Sequence, residues 1–275
     1  MAYAFPGAGA LDYSPCSYGT SKLLFRGPKA DVTQPFVACL GGSETYGKYI
    51  PTPFPDHLEE MLDVQVANLG CMNAGPEVFA SDAEVMEIAS KAQACVVQIT
   101  GAANVTNRYY SVHPRRNDRF TGPTPLLRAL FRQVDFTEFS FTRHLVQALR
   151  ARSADRFEVL AEELRAAWLA RMKDVLGQLT CPTVLMWLAD APPPVPQQQL
   201  DLGSNPILVD AEMVATIRPF ATTYVEIIPS PATRAKGAEG MAFGPMEAAA
   251  AASLPGPAVH FEAAKRLVPV IRQLI

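Results

Sequence analysis

Hydrophobic residues gather in five short runs, and longer stretches with a helical pattern separate these runs. The runs are rich in valine and isoleucine and do not alternate with polar residues, which is typical of strands covered on both faces. They predict strands at 36–40, 64–70, 94–100, 182–189 and 223–229. Because strands that alternate with helices form parallel sheets, the pattern predicts an α/β sandwich with a mainly parallel five-stranded sheet.

The intervening stretches predict five helices, at 54–62, 80–92, 155–179, 210–219 and 261–275. Ligands of such sheets bind at the carboxyl ends of the strands, so the residues that follow each strand are the candidates for function. Residues 101–141 interrupt the alternation and are predicted to form an inserted loop or lid. Residues 1–34 are rich in glycine, proline and serine and are predicted to wrap around the domain.

Length and charge narrow the class of protein. A chain of 275 residues can bury a full core, and we predict a single domain over 1–275. The formal net charge of −3 argues against a general nucleic-acid or membrane-surface binder. No apolar run approaches the ~20 residues that span a bilayer, and the N-terminus lacks the features of an export signal. We therefore expect a soluble, cytoplasmic protein.

The cysteine pattern does not indicate a metal site. There are five cysteines, and four lie in or beside predicted strands, where buried, reduced thiols are the usual outcome: Cys39, Cys71, Cys95 and Cys181. No C-x-x-C pair or Cys/His cluster with metal-ligand spacing occurs. We expect no metal and no organic cofactor. A catalytic role for Cys71 is the alternative to burial.

The stretch "ACLGGSETYGKY" after the first predicted strand has two interpretations. Read as G-x-x-x-x-G-K from Gly42 to Lys48, it resembles a phosphate-binding loop of a nucleotide- or sulfonucleotide-dependent transferase. That interpretation needs a serine or threonine where Tyr49 stands, and a helix where "YIPTPFP" follows. Read as G-x-S-x-T-x-G, the same stretch presents Ser43 as a nucleophile on a glycine turn at the end of a strand.

Four blocks of the chain, taken in order, resemble those of the SGNH, or GDSL-type, hydrolases. "GGSETYG" at 41–47 is similar to their first block, G-D-S-x-T-x-G, with Gly42 in place of the aspartate. "VANLGCMNAG" supplies the glycine of the second block, Gly70, and "VVQITGAANVTN" the asparagine of the third, Asn104. "AVHFEAAKRL" supplies the last histidine, His260. The resemblance implies a flavodoxin-like, three-layer α/β/α fold and ester or acyl hydrolysis.

The resemblance also implies a role for each of these residues. Ser43 would attack the acyl carbon, and His260 would take its proton as general base. The oxyanion would be held by the backbone N–H groups of Ser43 and Gly70 and by the side-chain amide of Asn104. Asn107 competes for the asparagine role, and His113 competes with His260. Of the other two histidines, His57 falls in the first predicted helix and His144 at the start of a long one, and both are expected to be solvated or capping.

One position departs from the family pattern. The SGNH hydrolases usually carry an aspartate three residues before the histidine, and Pro257 occupies that position here. Asp190 is the first candidate for the missing acid and Glu262 the second; a Ser–His pair oriented by a backbone carbonyl is a further alternative. The departure also motivates a second hypothesis, a protein of this fold that binds a ligand without catalysis.

Basic residues cluster in the inserted segment within "HPRRNDRF": His113, Arg115, Arg116 and Arg119. Guanidinium groups bind carboxylate, phosphate or sulfate in a bidentate manner. We therefore expect this cluster to bind a small-molecule ester substrate that is anionic or sugar-like. A solvated loop, with arginines paired to Asp118 or to a neighbouring subunit of a homo-oligomer, is the alternative.

Overall fold

A parallel five-stranded sheet forms the centre of the protein. The computed structural model describes residue 9, residues 11–195 and residues 202–275. Within these residues the strands are β1 (Phe36–Gly41), β2 (Gln65–Gly70), β3 (Ala94–Gln98), β4 (Tyr110–His113), β5 (Arg116–Pro123), β6 (Thr183–Leu188) and β7 (Thr223–Ile227). The sheet order is β2-β1-β3-β6-β7, and all its pairs are parallel. This order is the flavodoxin-like one once the separate β4–β5 hairpin is set aside, and all five predicted strands are confirmed.

Helices cover both faces of this sheet. They are α1 (Ser43–Tyr46), α2 (Phe54–Leu62), α3 (Glu77–Ala80), α4 (Ala83–Ser90), α5 (Pro125–Leu130), α6 (Thr142–Arg152), α7 (Ala154–Gln178), α8 (Ala211–Ile217), α9 (Pro231–Ala235), α10 (Ala248–Ala251) and α11 (Pro257–Ile271). The five predicted helices correspond to α2, α4, α7, α8 and α11. The last predicted helix begins at residue 261, four residues late. Helix α11 begins at Pro257, and proline is common at the first position of a helix.

Alternate residues of each strand enter two different cores, as the two-residue period of a strand requires. On one face of β1, Ala38 and Leu40 belong to the larger core, with Trp168 of α7. On the other face, Val37 and Cys39 belong to the smaller core between α2 and α11. The fold is therefore the predicted three-layer sandwich.

The inserted segment at 101–141 is more regular than predicted. It contains the antiparallel β4–β5 hairpin and α5, and the hairpin packs against α3 and α6. Asn117 on β5 is fully buried, and its side-chain oxygen accepts hydrogen bonds from the backbone N–H groups of Gly75 (3.1 Å) and Val78 (2.9 Å). Its amide donates to the carbonyl of His113 at 3.2 Å. The hairpin is thus joined to the segment that follows β2.

The N-terminal segment is joined by a buried guanidinium to the turn that follows α1. Arg26 is 7% exposed and donates to the carbonyls of Gly47 (2.9 Å), Ile50 (2.8 Å) and Pro51 (2.6 Å). These carbonyls belong to the turn after α1, so residues 11–34 contact the segment that carries Ser43. Residues 1–8 and 10 of the predicted wrapping extension lie outside the described residues. No helix in the described ranges is long and apolar enough to cross a membrane.

Replacing Arg26 with methionine is expected to lower the free energy of unfolding by about 2 kcal/mol, because carbonyls that accept from a charged donor lose their partner. Urea unfolding measures the change. Lys22→Met is the control, because Lys22 is exposed. Equal stability of the two variants would contradict the importance of the three Arg26 hydrogen bonds.

Candidate functional site

A cleft of 1140 Å³ lies at the carboxyl edge of the sheet. Its lining includes Ser43 after β1, Asn73 after β2, Asn104 after β3 and Asp190 after β6. This is the edge at which ligands of open α/β sheets bind. The residues that follow four of the strands therefore share one cleft, as the sequence predicts.

Gln98, the last residue of β3, holds the turn that carries Ser43. Its side-chain oxygen accepts hydrogen bonds from the backbone N–H groups of Gly42 (3.0 Å) and Thr45 (3.3 Å) and from the Thr45 hydroxyl (2.6 Å). A Cβ atom on Gly41 would lie 2.0 Å from the Thr45 hydroxyl oxygen, so the turn needs glycine there. The Gln98 amide donates to Glu44 at 2.9 Å.

This turn does not have the form of a phosphate-binding loop. The N–H groups of Gly42 and Thr45 face Gln98 rather than the cleft, and α1 ends after four residues at Gly47, which has a left-handed backbone (φ 75°). A phosphate-binding loop needs free N–H groups and a helix that continues beyond it. The transferase interpretation of Gly42 to Lys48 is therefore wrong in its structural premise.

The Ser43 hydroxyl lies in a hydrogen-bonded network with Asn73. It donates to the Asn73 side-chain oxygen at 3.0 Å and accepts from the Asn73 backbone N–H at 2.9 Å. The Asn73 amide donates to the Asp118 carboxylate at 3.1 Å. The hydroxyl is therefore connected to a carboxylate through one amide.

Asn104 lines the cleft beside this network. Its amide donates to the Asn73 backbone carbonyl at 3.0 Å, and its side-chain oxygen accepts from the Thr142 hydroxyl at 2.6 Å. A primary amide has two N–H donors, and within the described ranges the second one has no partner, so it can donate to a ligand. Asn107, the competitor for this role, instead accepts from the backbone N–H groups of Tyr109 and Tyr110 and caps its own turn.

Gly70 has a packing role that differs from the predicted one. Its N–H donates to the Asn68 side-chain oxygen at 3.0 Å, so it does not point to an oxyanion at Ser43. A Cβ atom on Gly70 would lie 2.4 Å from the backbone nitrogen of Tyr46 in α1. The glycine is required because α1 lies directly against it.

His260 lies inside the first turn of α11 and not before the helix. Its ring is 1% exposed, stacks on Phe54 with centroids 6.1 Å apart, and does not line the cleft. Nδ1 accepts a hydrogen bond from the Phe54 N–H at 3.1 Å, which places the proton of the neutral ring on Nε2. Burial, with the charges of Arg26 and His57, lowers the pKa of His260 to about 3. The described geometry therefore does not provide His260 as a base for Ser43.

The two candidate acids do not orient His260 either. Asp190 is exposed at the cleft, and its backbone carbonyl accepts from Arg234 at 3.1 Å. Glu262 accepts from the Ser230 N–H at 3.2 Å and lies 3.6 Å from Arg266. Within the described part of the chain, neither carboxylate forms a hydrogen bond with the His260 ring.

The basic cluster of the inserted segment lies on the β4–β5 hairpin, and its members are absent from the lining described for the cleft. Arg115 and Arg116 are exposed, and the guanidinium of Arg119 lies over the Phe141 ring, 4.6 Å from its centroid. His113 Nδ1 accepts from the Arg115 N–H at 3.2 Å. The structure therefore does not place these four residues in contact with the Ser43 site. Asp118, between them in sequence, is the hairpin residue that lines the cleft.

The remaining histidines and Cys71 have other surroundings. His144 lines the cleft on α6, with its ring 4.9 Å from that of Phe139, whereas His57 on α2 packs against Phe261. Cys71 is a buried free thiol, and burial raises its pKa to about 12, which disfavours the reactive thiolate.

Sequence reasoning missed Asn73, Asp118 and Gln98. Asn73 follows β2 in "GCMNAG", within the quoted block that supplied Gly70, so its position after a strand was an available signal. Asp118 was considered only as a partner for the arginines. Gln98 is a polar residue in an apolar strand, and such a residue in a buried strand needs hydrogen-bond partners.

Comparison with known proteins gives a family but no activity. No curated protein sequence matches the chain. Among solved structures, the chain is similar to a catalytic mutant of Axe2, an acetylxylan esterase from Geobacillus stearothermophilus. The TM-score is 0.42 at 12% identity, over 86% of this chain and 94% of that one. Because the TM-score is below 0.5, no property of the esterase is transferred to this chain.

A family model matches the whole length of the chain, residues 1–275. Its description is "Domain of unknown function (DUF6473)". The chain therefore belongs to the DUF6473 family.

Proposed function

We propose that the protein is a serine-dependent ester hydrolase or deacylase that acts through an acyl-Ser43 intermediate. The observation that supports this is the position of the Ser43 hydroxyl, on a tight glycine turn at the carboxyl end of β1, beside a cleft and in contact with a polar network. Such a turn lets a substrate approach the hydroxyl closely.

In this proposal the Ser43 oxygen attacks the acyl carbon, and the electron pair of the carbonyl bond moves to its oxygen. The remaining N–H of Asn104 and the backbone N–H of Ser43 stabilise the resulting oxyanion. One such donor typically lowers the barrier by ~3 kcal/mol. Gly70 is not part of the proposed oxyanion hole, because its N–H donates to the side-chain oxygen of Asn68.

The substrate that we propose is a small-molecule ester with an anionic acid or alcohol part. The cleft lining contains as many acidic side chains, Glu44, Asp118, Asp190 and Asp210, as basic ones, and the basic ones are the candidates to bind that part: Lys48, Arg143, Arg165 and Arg234. They replace the hairpin arginines in that role. Arg165 on α7 has a buried Nε without a hydrogen-bond partner among the described residues, and the carboxylate oxygen of Glu158 is 3.8 Å from its Nη1. A cytoplasmic location and a homo-oligomeric state remain predictions.

Ligand binding without turnover is a second candidate. The burial of His260 and the occupied N–H of Gly70 favour it, because both depart from what serine hydrolysis of this type requires. In this case the Ser43 hydroxyl and the Asn104 amide would bind the ligand by hydrogen bonds.

Incubation with a fluorophosphonate is expected to add one adduct to the wild-type protein and none to Ser43→Ala, because the variant lacks the nucleophile. Intact mass and peptide mapping measure the adduct. Ser253→Ala is the control, because Ser253 also lines the cleft but donates to the Ala250 carbonyl.

Labelling of Ser43→Ala equal to that of the wild type would overturn the role of Ser43. A wild-type protein that stays unlabelled would favour the binding candidate.

A further inference from the structure

We propose that Asp118 receives the Ser43 proton through the side-chain amide of Asn73, in the place that the sequence resemblance gives to His260. This inference rests on the proposed hydrolytic function of Ser43. Asn73 is then a catalytic residue, because it touches the reacting oxygen, and Asp118 is the positioning residue behind it.

The first step is the continuity of the hydrogen bonds. The Ser43 hydroxyl donates to Asn73 Oδ1 at 3.0 Å, and Asn73 Nδ2 donates to Asp118 Oδ2 at 3.1 Å. Both distances lie within the normal range. The arrangement resembles a catalytic triad. A serine, a middle group that forms hydrogen bonds on both sides and a carboxylate follow one another, with an amide in place of the imidazole.

The second step is the orientation of the Asn73 amide. Asp118 accepts hydrogen bonds when ionised, so the nitrogen side of the amide faces it and the oxygen faces Ser43. The Asn73 backbone is held as well, because its N–H donates to Ser43 Oγ at 2.9 Å and its carbonyl accepts from Asn104 at 3.0 Å. Its left-handed conformation, φ 57°, is one that asparagine tolerates better than most residues. The amide is thus positioned before a substrate binds.

The third step is the environment of Asp118. Burial raises its pKa above the ordinary value, and the Asn73 hydrogen bond and the charges of Arg119 and Arg116 oppose that shift. The cleft adds charged or titratable side chains from α1, its following turn and α6: Glu44, Lys48, Arg143 and His144. Glu77 of α3, which packs against β5, accepts a hydrogen bond from the Thr106 N–H. A partly buried carboxylate is a stronger proton acceptor than an exposed one.

Ser43 and Asn73 each lose a proton and regain one before the reaction cycle ends. As the Ser43 oxygen bonds to the acyl carbon, its proton moves to Asn73 Oδ1 and a proton of Asn73 Nδ2 moves to Asp118, which leaves Asn73 as the neutral imidic acid. When the bond to the alcohol breaks, Oδ1 gives its proton to the leaving oxygen and Asp118 returns a proton to Nδ2. Attack of water on the acyl-Ser43 repeats the cycle, and Ser43 regains its proton as the acid product leaves.

The test compares Ser43 reactivity in Asp118→Asn and in the exchanged variant Asn73→Asp/Asp118→Asn. The readouts are the rate of fluorophosphonate labelling and the hydrolysis of p-nitrophenyl acetate, from about pH 4 to about pH 9, a range that spans carboxyl titration. Asp118→Asn keeps the shape and the acceptor oxygen but removes the carboxylate. It is expected to lower both rates at least about 100-fold, a typical loss for general-base catalysis.

The pH profile separates a proton acceptor from a structural group. In the wild type the rates are expected to fall as the pH drops through the raised Asp118 pKa, and this limb is expected to disappear in Asp118→Asn. The exchanged variant restores a carboxylate in contact with Ser43 and is expected to regain at least about 10-fold of the lost rate. Asp174→Asn, an exposed carboxylate of α7, is the control.

Two outcomes would overturn the inference. Asp118→Asn with wild-type rates and an unchanged pH profile would overturn the relay while leaving Ser43 as the nucleophile. A wild type without any Ser43 adduct would overturn the proposed function and the relay together. Urea unfolding of each variant shows whether a lost rate reflects a lost fold.

Discussion

The His260→Ala variant is expected to unfold about 4 kcal/mol more easily than the wild type, and the Ser43 of the folded variant is expected to react with the fluorophosphonate as before. The first part of the loss is a cavity, since a fully buried ring between α2 and α11 is removed. The second part is the Phe54 N–H, which loses its acceptor at the start of α2, where Pro53 offers no side-chain cap. Urea unfolding and intact mass measure the two effects.

His260→Asn provides the matched control for this prediction. Asparagine places an oxygen near the position of Nδ1, so it can accept from Phe54 and is expected to recover part of the stability. Loss of Ser43 labelling in a folded His260→Ala protein would show instead that His260 is the base.

The stability of the wild type is also expected to depend on pH through His260. The pKa of this ring is about 3 in the folded protein and about 6.5 in the unfolded chain. The unfolded state therefore binds a proton that the folded state excludes between these values. The His260 contribution is fully present above about pH 6.5 and declines as the pH falls towards 3. In His260→Asn this part of the pH dependence is expected to be absent.

The Gly70→Ala variant is expected to lose roughly 3 kcal/mol of stability and most of the Ser43 reactivity. The added methyl group would lie 2.4 Å from the Tyr46 nitrogen and 2.8 Å from the Thr45 carbonyl carbon, both of them backbone atoms. Backbone cannot move aside as a flexible side chain does, so α1 must shift away from β2. Ser43 is the first residue of α1 and would move with it. Urea unfolding and the labelling rate measure both consequences.

Gly177→Ala is the control for the added methyl group. Gly177 lies in α7, and among the described residues, apart from its chain neighbours and the nearby backbone of its own helix, no atom comes within 4 Å of the place that the alanine methyl group would take. Alanine there is expected to be neutral or stabilising. A Gly70→Ala protein as stable as Gly177→Ala would show that α1 does not depend on close contact with β2.

The sheet was predictable because its strands carry their signal locally. Each is a mainly apolar run in which polar residues do not alternate regularly, and both faces of β1 are buried in separate cores. The position of Ser43 was predictable for the same reason, since "GGS" follows such a run directly. A side chain whose position depends only on the strand before it can be located from the predicted end of that strand.

The partners of Ser43 depend on contacts between distant segments, and the sequence does not specify those. Asn73 is 30 residues from Ser43, and Asp118 is 45 residues from Asn73 on a hairpin that had no strong strand pattern. The predicted placement of His260 before the last helix was wrong for a different reason. Pro257 at the first position of α11 signalled an earlier start of the helix, and that start turns the ring towards Phe54.

Buried Asn117 links two segments of the site that are distant in sequence. Its side chain forms hydrogen bonds with backbone groups of the stretch after β2 and of the hairpin, so the two segments that carry Asn73 and Asp118 are joined to each other. Ser43 lies on the turn after β1, which is held by hydrogen bonds to Gln98. We therefore expect a ligand that enters between Ser43 and Asn73 to lengthen their contact while the contact between Asn73 and Asp118 is kept.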